Sequence, residues 1–527
     1  MPTMCQSLSL VALALVLAAG AGCVRTIRSS ASAAENVEHA RWVGTVTYEA
    51  RDATPQGASA AVSVRPARYV DIFARDETGR ILVHTQTDAS GSFVLVAPVT
   101  IVDVIAVAHA FVRGHDVAVT HDPMGTVPHA IAVRAGPPSV PLTIAAADDV
   151  PGGPAGAFHI VDTVLRGLEA VRAWTGQLLP PLFVFWGRGV TSGWSYYRGE
   201  RPERSGRFAL ELLGGAPGQH TTTDTDEHDE TIILHELGHF VMDRLSTDSS
   251  VGGNHPAGFL IDPGLAWEEG RATWFAVAVA GRPIYRDTIG REPGGRLRVD
   301  HDLERRGQGP RGIGSEQGVS EILWDLADGA GGLPDADRDG VALGPAVVLR
   351  SMLALGTEPG AYPCLPTFLR YLIRAGAIGD APLRAMLTAT GQPADLVPRD
   401  DRALWPTDLS LPGRASGKID GASDPAPSGG PRRPENGVDA VRAYRIHLSG
   451  TRRVRARLRI FGTGRGRDGQ DIDLELRTIR ADLIARSDGE TPLEVIGARL
   501  PPGWYVVYVR DGGRGNRAEY ELDISAD

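Results

Sequence analysis

The stretch that decides the fold is residues 231–245, T-I-I-L-H-E-L-G-H-F-V-M-D-R-L, near the middle of a chain of 527 residues. It contains the pattern H-E-x-x-H, formed by His235, Glu236 and His239. In a helix, two histidines four residues apart lie on one face and can bind the same metal ion. The pattern therefore predicts a zinc site, with Glu236 beside the zinc ligands as a candidate general base.

The residues around this pattern favour a helix. Apolar side chains recur at helical spacing at Ile233, Leu237 and Phe240, which gives the helix a face to bury. Two imidazoles in such an apolar segment would need other polar partners if no metal were bound. Acidic residues before the segment would stabilise a helix N-terminus: Asp224, Asp226, Glu227, Asp229 and Glu230.

Composition limits the classes of protein that this chain can belong to. It is 42% hydrophobic with a net charge of −10, which is typical of a globular protein and makes nucleic acid an unlikely partner. The length predicts about three domains. Only three cysteines are present, so a disulfide framework is excluded, and Cys364 is interpreted as a small buried residue. The oligomeric state cannot be read from the sequence.

The N-terminus has the features of an export signal. Residues 1–22 contain an apolar run followed by small residues, too short to span a membrane permanently. The sequence before Cys23 resembles the bacterial lipobox, with Gly20 where that pattern prefers leucine. Two expectations stay open: a lipoprotein attached to the membrane through Cys23, and a freely secreted protein. Both imply an exported protein, either extracellular or lipid-anchored at the bacterial cell envelope.

Residues 41–144 alternate apolar and polar side chains in short runs separated by turn residues, which predicts an all-β segment. The phrase T-Q-T-D-A-S-G-S-F-V-L at residues 85–95 resembles a turn of the transthyretin-like domains that accompany some carboxypeptidases. The resemblance implies a small β-sandwich at residues 41–150, which acts as a carboxypeptidase regulatory-like scaffold or binding module.

A second helix, predicted at residues 265–280, contains Glu269-Gly-Arg-Ala272. Together with H-E-x-x-H, this E-G-x-A pattern resembles the gluzincin metallopeptidases, in which the glutamate is the third zinc ligand. The resemblance implies a zincin-like metallopeptidase domain at residues 155–410, with Glu269 as that ligand. Glu268 is the alternative ligand, or a partner of one of the histidines. Small residues, among them Gly270 and Ala272, would let this helix approach the first.

The resemblance has further implications for the site. In thermolysin-like folds an edge strand beside the zinc holds the substrate backbone, and residues 208–213 are the candidate by position. The class also uses a tyrosine or histidine to stabilise the oxyanion, for which Tyr285 and His301 are candidates. A third helix is predicted at residues 318–328, with a structural role.

An acidic loop follows this third helix. Asp335, Asp337 and Asp339 alternate and precede Gly340, which is the spacing of a calcium loop. The full EF-hand pattern is not met, because Ala346 stands where a bidentate glutamate is needed. A Ca²⁺ site and a solvated acidic turn are therefore both open.

The C-terminal region is again rich in predicted strands. Residues 411–436 are rich in Pro, Gly and Ser and are interpreted as a linker. Residues 437–527 resemble the bacterial pre-peptidase C-terminal (PPC) domain, on the runs D-I-D-L-E-L at 471–476 and L-P-P-G-W-Y-V-V-Y-V at 500–509. The resemblance implies a jelly-roll β-sandwich appended to a secreted peptidase.

Taken together, these patterns predict a multidomain protein in which an α+β zincin-like domain is flanked by two all-β sandwich domains. The predicted function is a secreted zinc metallopeptidase that hydrolyses protein or peptide substrates, with Glu236 as general base. Two alternatives remain: a cell-surface binding protein with a degenerate peptidase domain, and a zinc hydrolase of non-peptide amides. Substrate preference and endo- or exopeptidase action are not encoded in these motifs.

Overall fold

The computed structural model describes most of the chain after residue 37. The described residues are 38–148, 154–191, 193–199, 208–216, 222–247, 249–253, 255, 258–290, 296–305, 309–397, 405–421, 437–462, 471–489, 491–512 and 516–527. The predicted signal peptide, Cys23 and residues 422–436 of the predicted linker lie outside them. The described part divides into two compact units, unit 1 at residues 38–240 and 285–300 and unit 2 at residues 241–284 and 301–527.

Helices are few and strands are many in the described residues, as expected for a multidomain protein containing β-sandwiches. The seven described α-helices are α1 (Ala155–Thr175), α2 (Glu230–Leu245), α3 (Pro263–Ala280), α4 (Glu316–Ala327), α5 (Pro345–Thr357), α6 (Leu365–Arg374) and α7 (Asp380–Ala389). The three helices predicted from the sequence at 231–245, 265–280 and 318–328 correspond to α2, α3 and α4.

Unit 1 begins with the strands that the alternating pattern predicts. They are β1 (His39–Thr54), β2 (Gly57–Pro66), β3 (Val70–Arg75), β4 (Ile81–Gln86), β5 (Ser92–Pro98), β6 (Asp103–Val112), β7 (His115–Thr120), β8 (Ala130–Arg134) and β9 (Leu142–Ala146). One four-stranded sheet has the order β2-β1-β5, with β9 parallel to β1. The other strands belong to a second, larger sheet.

The turn between β4 and β5 is the one that resembles transthyretin-like domains. Asp88 Oδ1 accepts hydrogen bonds from the backbone N–H groups of Ser90, at 2.8 Å, and Ser92, at 3.0 Å. Gly91 has a φ of +76°, and a Cβ there would lie 2.5 Å from the carbonyl oxygen of Val46. A side chain at Gly91 is therefore excluded both by backbone conformation and by the close approach of β1.

The larger sheet continues beyond the expected domain boundary near residue 150. Three later strands join it: β10 (Leu182–Phe185), β11 (Tyr196–Arg198) and β12 (Phe208–Glu211). The strand order is β11-β12-β10-β7-β6-β3-β4, with β8 paired to β6, so β10 lies parallel to β7 of the N-terminal segment. In the described residues β12 has a neighbour on each side, and β11 takes the outer position that the sequence suggested for residues 208–213.

The last strands of unit 1 follow α3. They are β13 (Ile284–Ile289) and β14 (Arg296–Asp302), which form a two-stranded sheet.

The C-terminal part of unit 2 contains two sheets. Its strands are β15 (Thr407–Asp408), β16 (Gly413–Asp420), β17 (Val441–Leu448), β18 (Arg452–Gly462), β19 (Ile472–Thr478), β20 (Leu483–Ser487), β21 (Leu493–Leu500), β22 (Gly503–Asp511) and β23 (Arg517–Ala526). One sheet has the order β15-β17-β22-β19-β20 and the other β16-β23-β18-β21. Apolar side chains from both sheets form one buried core between them.

β16 lies within the segment whose composition suggested a linker. It pairs with β23 along its whole length, from Gly413 opposite Ile524 to Asp420 opposite Arg517. Most of its side chains are exposed or half-buried, with only Ile419 buried. Its Gly and Ser content therefore fits a strand that buries little surface, which composition alone does not distinguish from a linker.

A second apolar cluster in unit 2 joins the strands of the C-terminal region to the segment before α6. It contains Tyr362 and Cys364 from that segment together with Val441, Ala443, Val506 and Tyr508 from β17 and β22. The hydroxyl of Tyr362 donates to the carbonyl of Ser249 at 2.9 Å, and the hydroxyls of Tyr362 and Tyr508 are 2.5 Å apart. The C-terminal strands and the helical part of unit 2 thus share a buried core.

Candidate metal centre

Helix α2 positions the two histidines. The Nε2 atoms of His235 and His239 are 3.1 Å apart, and their ring centroids are separated by 4.8 Å. His235 and Glu236 are buried, with 6% and 8% of their surface exposed. The helix forms here because its apolar residues, including Leu237 and Phe240, are fully buried.

The acidic residues before α2 play a different part from the helix caps expected. Asp229 is fully buried, and its carboxylate accepts hydrogen bonds from the backbone N–H and the hydroxyl of Thr288, not from the first turn of α2. Glu230 forms ion pairs with Arg65 at 2.8 Å and Arg166 at 3.1 Å. These contacts fix the start of α2 by tertiary ion pairs and hydrogen bonds, and Glu230 also lies in the first turn of α2, where negative charge was expected.

Helix α3 positions the third candidate ligand. Asp262 caps its N-terminus by accepting hydrogen bonds from the N–H groups of Gly264, at 2.8 Å, and Leu265, at 3.0 Å. Burial raises the pKa of Asp262 to about 6. Glu269 lies in the middle of this buried helix. His235, His239 and Glu269 each offer one ligand atom, and these three atoms lie within 4.8 Å of one another.

A small residue of α3 has a role that the sequence did not suggest. A Cβ at Gly270 would lie 2.5 Å from Cβ of Val319 and 2.7 Å from the carbonyl oxygen of Glu316. Gly270 therefore allows α4 to approach α3 closely.

Glu268 has partners of its own. Its carboxylate forms an ion pair with Arg271 one turn further along α3, and it accepts a hydrogen bond from the N–H of Ser249 at 3.3 Å. Both side chains of the pair are buried. Arg271 also donates to the carbonyl oxygen of Thr247 at 3.3 Å. Neighbouring glutamates of one helix thus have different surroundings, Glu269 with the histidines and Glu268 with an arginine.

The two candidates for oxyanion stabilisation lie in different surroundings. The ring of Tyr285 is 5.7 Å from the imidazole of His235, measured between centroids. His301 is buried, with its Nε2 at 3.6 Å from a carboxylate oxygen of Glu321. Burial raises the pKa of Glu321 to about 7. In the described contacts, Tyr285 therefore lies near the candidate ligand His235, whereas His301 lies near the carboxyl group of Glu321 in α4.

Sequence reasoning missed His255. Its Nε2 is 3.5 Å from Oε1 of Glu269, and its Nδ1 is 3.3 Å from Oε2 of Glu316. It is partly exposed, in the Gly- and Pro-rich segment between α2 and α3. The only signal in the sequence was a histidine between the two motifs, which does not predict contact with the third ligand.

The remaining predicted residues lie elsewhere. Of the three calcium candidates, Asp337 lies within 4.8 Å of Glu304 and Asp328, measured between carboxylate oxygens. Asp335 and Asp339 accept backbone hydrogen bonds within their own loop. Cys364 is fully buried as expected, and burial raises the pKa of its thiol to about 11. None of the described helices is long and apolar enough to cross a membrane.

Comparisons with known proteins identify no family. No family model matches the sequence, and no curated protein matches it. Among solved structures, one neighbour is the pre-peptidase C-terminal domain of a collagenase from Bacillus anthracis, with 13% identity, 22% of this chain and 92% of that chain covered, and a TM-score of 0.17. Another is a periplasmic inhibitor of g-type lysozyme from Aeromonas hydrophila, with 14% identity, coverages of 23% and 97%, and a TM-score of 0.14. Neither bears on the chemistry of the chain.

Proposed function

We propose that this protein is a zinc-dependent peptidase whose zinc ligands are His235, His239 and Glu269. The observation that carries the proposal is the convergence of these three side chains, from two separate helices, to within 4.8 Å between ligand atoms. Two imidazoles and one carboxylate are a common ligand set of catalytic zinc, which keeps a further position for water or substrate. The same residues support membership of the gluzincin class and a zincin-like domain.

The donor geometry fits a zinc ion. Two nitrogens bound at about 2.1 Å to a tetrahedral zinc are about 3.4 Å apart. The Nε2 atoms of His235 and His239 are 3.1 Å apart, so both fit one ion with a small adjustment. When bound, zinc would polarise the substrate carbonyl and lower the pKa of a water molecule.

Glu236 supplies the proton transfers. It follows His235 directly in the H-E-x-x-H pattern and is largely buried, which supports the proposal that its carboxylate takes a proton from the attacking water. The same group would then deliver the proton to the leaving amine. Tyr285 is our candidate for stabilising the oxyanion. Of the two predicted donors, it is the one whose ring lies near the imidazole of His235 in the described contacts.

We also propose that the protein is exported. The support is the apolar run in residues 1–22 and the lipobox-like sequence before Cys23. Mass spectrometry of the mature N-terminus separates the two forms, since a lipoprotein would begin at a lipid-modified Cys23 and a secreted protein would carry no lipid. A PPC-like domain after residue 437 fits the same location.

The test of the proposed function is cleavage of casein by the mature chain and by Glu236→Gln, with bound zinc measured in both. We expect one zinc per chain in each, and a loss of about 10²–10⁴-fold in kcat for the variant, because general base catalysis contributes on that scale. Glu519→Gln, which makes the same change on an exposed part of β23, should keep full activity.

Each other outcome contradicts a different part of the proposal. Zinc in both proteins without cleavage by either would contradict a peptide substrate and favour hydrolysis of another amide. Absence of zinc from both would contradict the metal site and favour a binding protein with a degenerate peptidase domain.

A further inference from the structure

A cluster of carboxylates in unit 2 shares no residue with the set assigned to the zinc. One oxygen atom from each of Glu304, Asp328 and Asp337 lies within 4.8 Å of the others. Glu304 is held in place by three donors: the indole N–H of Trp324 at 2.8 Å, and the backbone N–H groups of Ala336 at 3.3 Å and Asp337 at 3.2 Å. The carboxylate thus joins α4 to the acidic loop that follows it.

Asp328 is the buried member of this cluster. It is fully buried, and neither of its carboxylate oxygens has a hydrogen-bond partner among the residues that the structure describes. A buried carboxylate without partners is costly in free energy, so buried acidic groups are normally paired or bound to a metal ion. Here one of those oxygens is among the three that converge.

The charge around Asp328 is unbalanced. Asp325 and Asp339 lie close enough to add to the negative potential, and burial together with these neighbouring carboxylates raises the pKa values of Asp325 and Asp328 to about 9. The charged neighbours that act most strongly on Asp325 and Asp328 are all carboxylates.

A second acidic cluster in this protein shows the contrast. Asp224, Asp226 and Asp287 also converge within 4.8 Å in unit 1. There, Arg298 forms ion pairs with Asp224 and, at 3.6 Å, with Asp287. That cluster is paired with an arginine of the chain, whereas both carboxylate oxygens of Asp328 lack a hydrogen-bond partner among the residues that the structure describes.

We propose that Glu304, Asp328 and Asp337 bind a calcium ion that fastens the acidic loop at residues 328–341 to α4. An all-oxygen set of carboxylates selects a hard cation, and calcium accepts the irregular geometry of a loop more readily than magnesium, which demands a near-ideal octahedron. The ligand set differs from the one that sequence spacing suggested. All three loop aspartates accept one backbone N–H within the loop, Asp335 from Arg338 at 2.6 Å, Asp337 from Asp339 at 3.1 Å and Asp339 from Val341 at 2.7 Å. Of the three, Asp337 is the one whose oxygen converges with those of Glu304 and Asp328 among the described residues.

The test uses the zinc-loaded full chain, treated with a calcium-selective chelator and then titrated with CaCl₂ or MgCl₂. We expect calorimetry to show one calcium per chain, and saturating calcium to raise Tm by about 5 °C, because a ligand that binds only the folded state stabilises it. Magnesium should have a much smaller effect at the same concentration.

Variants assign the ligands. Asp328→Asn should weaken calcium binding at least about tenfold, since affinity depends on the number of charged ligands. Without calcium, the same variant should be as stable as the wild type or more so, because the amide has the shape of the carboxyl group and carries no charge at any pH. Asp328→Asn should therefore be at least as stable as the wild type without calcium and less stable than the wild type with calcium. Asp337→Asn should also lose binding, and Glu519→Gln should behave as wild type.

Three results would overturn the proposal: no calcium binding by the wild type, an equal calcium response in wild type and in both aspartate variants, or an equal response to magnesium. If Asp328→Asn does not fold, the calcium affinity of Asp337→Asn tests the proposal instead, and an affinity equal to that of the wild type would overturn it. Zinc content and casein cleavage are measured separately in each protein, so failure here is distinguishable from failure of the proposed peptidase.

Discussion

Glu268 and Glu269 are adjacent in sequence and are both buried, yet they contact different groups and are expected to have different roles. Glu269 lies with His235 and His239, whereas Glu268 neutralises Arg271. Because successive helical residues point about 100° apart, one glutamate can face a metal while its neighbour faces an internal cation. Variants of these two glutamates can therefore separate zinc binding from structural stabilisation by experiment.

We predict that Glu269→Gln loses zinc without a large change in the stability of the apo protein. Its neutral amide is a poorer ligand than a carboxylate. Glu268→Gln should retain zinc but lower the free energy of unfolding by about 3 kcal/mol, because it leaves Arg271 buried without its counter-charge. Zinc analysis and urea unfolding of both variants check this, and loss of zinc from Glu268→Gln alone would reverse the assignment of the third ligand.

The residues of the site could be predicted to different extents. The H-E-x-x-H spacing suffices to bring His235 and His239 together, because helical geometry alone determines it. Glu269 required resemblance to a known motif, since nothing local connects it to α2. His255 and Arg271 could not be predicted, because their partners are set by the path of a loop and by the packing of helices that are distant in sequence.

At the scale of elements, the close packing of α3 on α4 depends on Gly270. Alanine would gain about 1 kcal/mol of helix propensity there. Its Cβ, however, would meet the carbonyl oxygen of Glu316 and the side chain of Val319. Backbone atoms cannot give way as a flexible side chain can, so the overlap outweighs the gain in propensity.

We predict that Gly270→Ala lowers the free energy of unfolding of unit 2 by about 1–3 kcal/mol, the usual cost of overpacking. Gly450→Ala provides the control in the same unit, because a Cβ there meets nothing within 4 Å. Urea unfolding followed by circular dichroism measures both variants. A Gly270→Ala protein as stable as wild type would mean that α4 can shift away without cost.

Local patterns predicted the existence of elements better than their arrangement. The helices α2, α3 and α4 follow from apolar spacing and turn residues, and so do the short strands between residues 39 and 146. The placement of β12 inside the sheet and of β10 beside β7 depends on pairing between distant segments. No local periodicity encodes such pairing, and β16 was missed because a largely exposed strand resembles a linker in composition.

At the scale of the whole molecule, the buried carboxyls of unit 2 make stability depend on pH. Asp325 and Asp328 have pKa values of about 9 in the folded protein, against about 4 in an unfolded chain. Between these values the folded state binds more protons, so the stability that these two groups contribute is fully present below about pH 4 and is lost as pH rises toward 9.

We therefore predict that the Tm of the calcium-free protein falls between pH 5 and pH 9, and that calcium makes this fall smaller. Bound calcium would keep its ligand Asp328 ionised in the folded state at all of these pH values. Differential scanning calorimetry with and without calcium checks the prediction, with Asp328→Asn as the control whose slope should be shallower. A calcium-free Tm that rises across this range would contradict it.

The cluster around Tyr362 and Tyr508 gives a second prediction at this scale. Tyr508→Ala removes a fully buried ring and its hydroxyl contact, which should lower the free energy of unfolding of unit 2 by about 3–5 kcal/mol. In a chain beginning at residue 24, Cys364 is the single cysteine, so its reaction with Ellman's reagent reports opening of the cluster. The thiol should react faster in Tyr508→Ala, whereas Phe461→Ala, at an exposed position, should leave its protection unchanged.

The same cluster limits what protein engineering can do with the C-terminal sandwich. Transplanted alone onto an unrelated enzyme, it would present Val506 and Tyr508 to water instead of to Tyr362 and Cys364. A fusion partner made from these strands would then be prone to self-association unless that face were redesigned with polar residues. In this protein the C-terminal sandwich forms part of a buried core that it shares with the segment before α6. To obtain an independent tag from it, the exposed apolar face would have to be mutated.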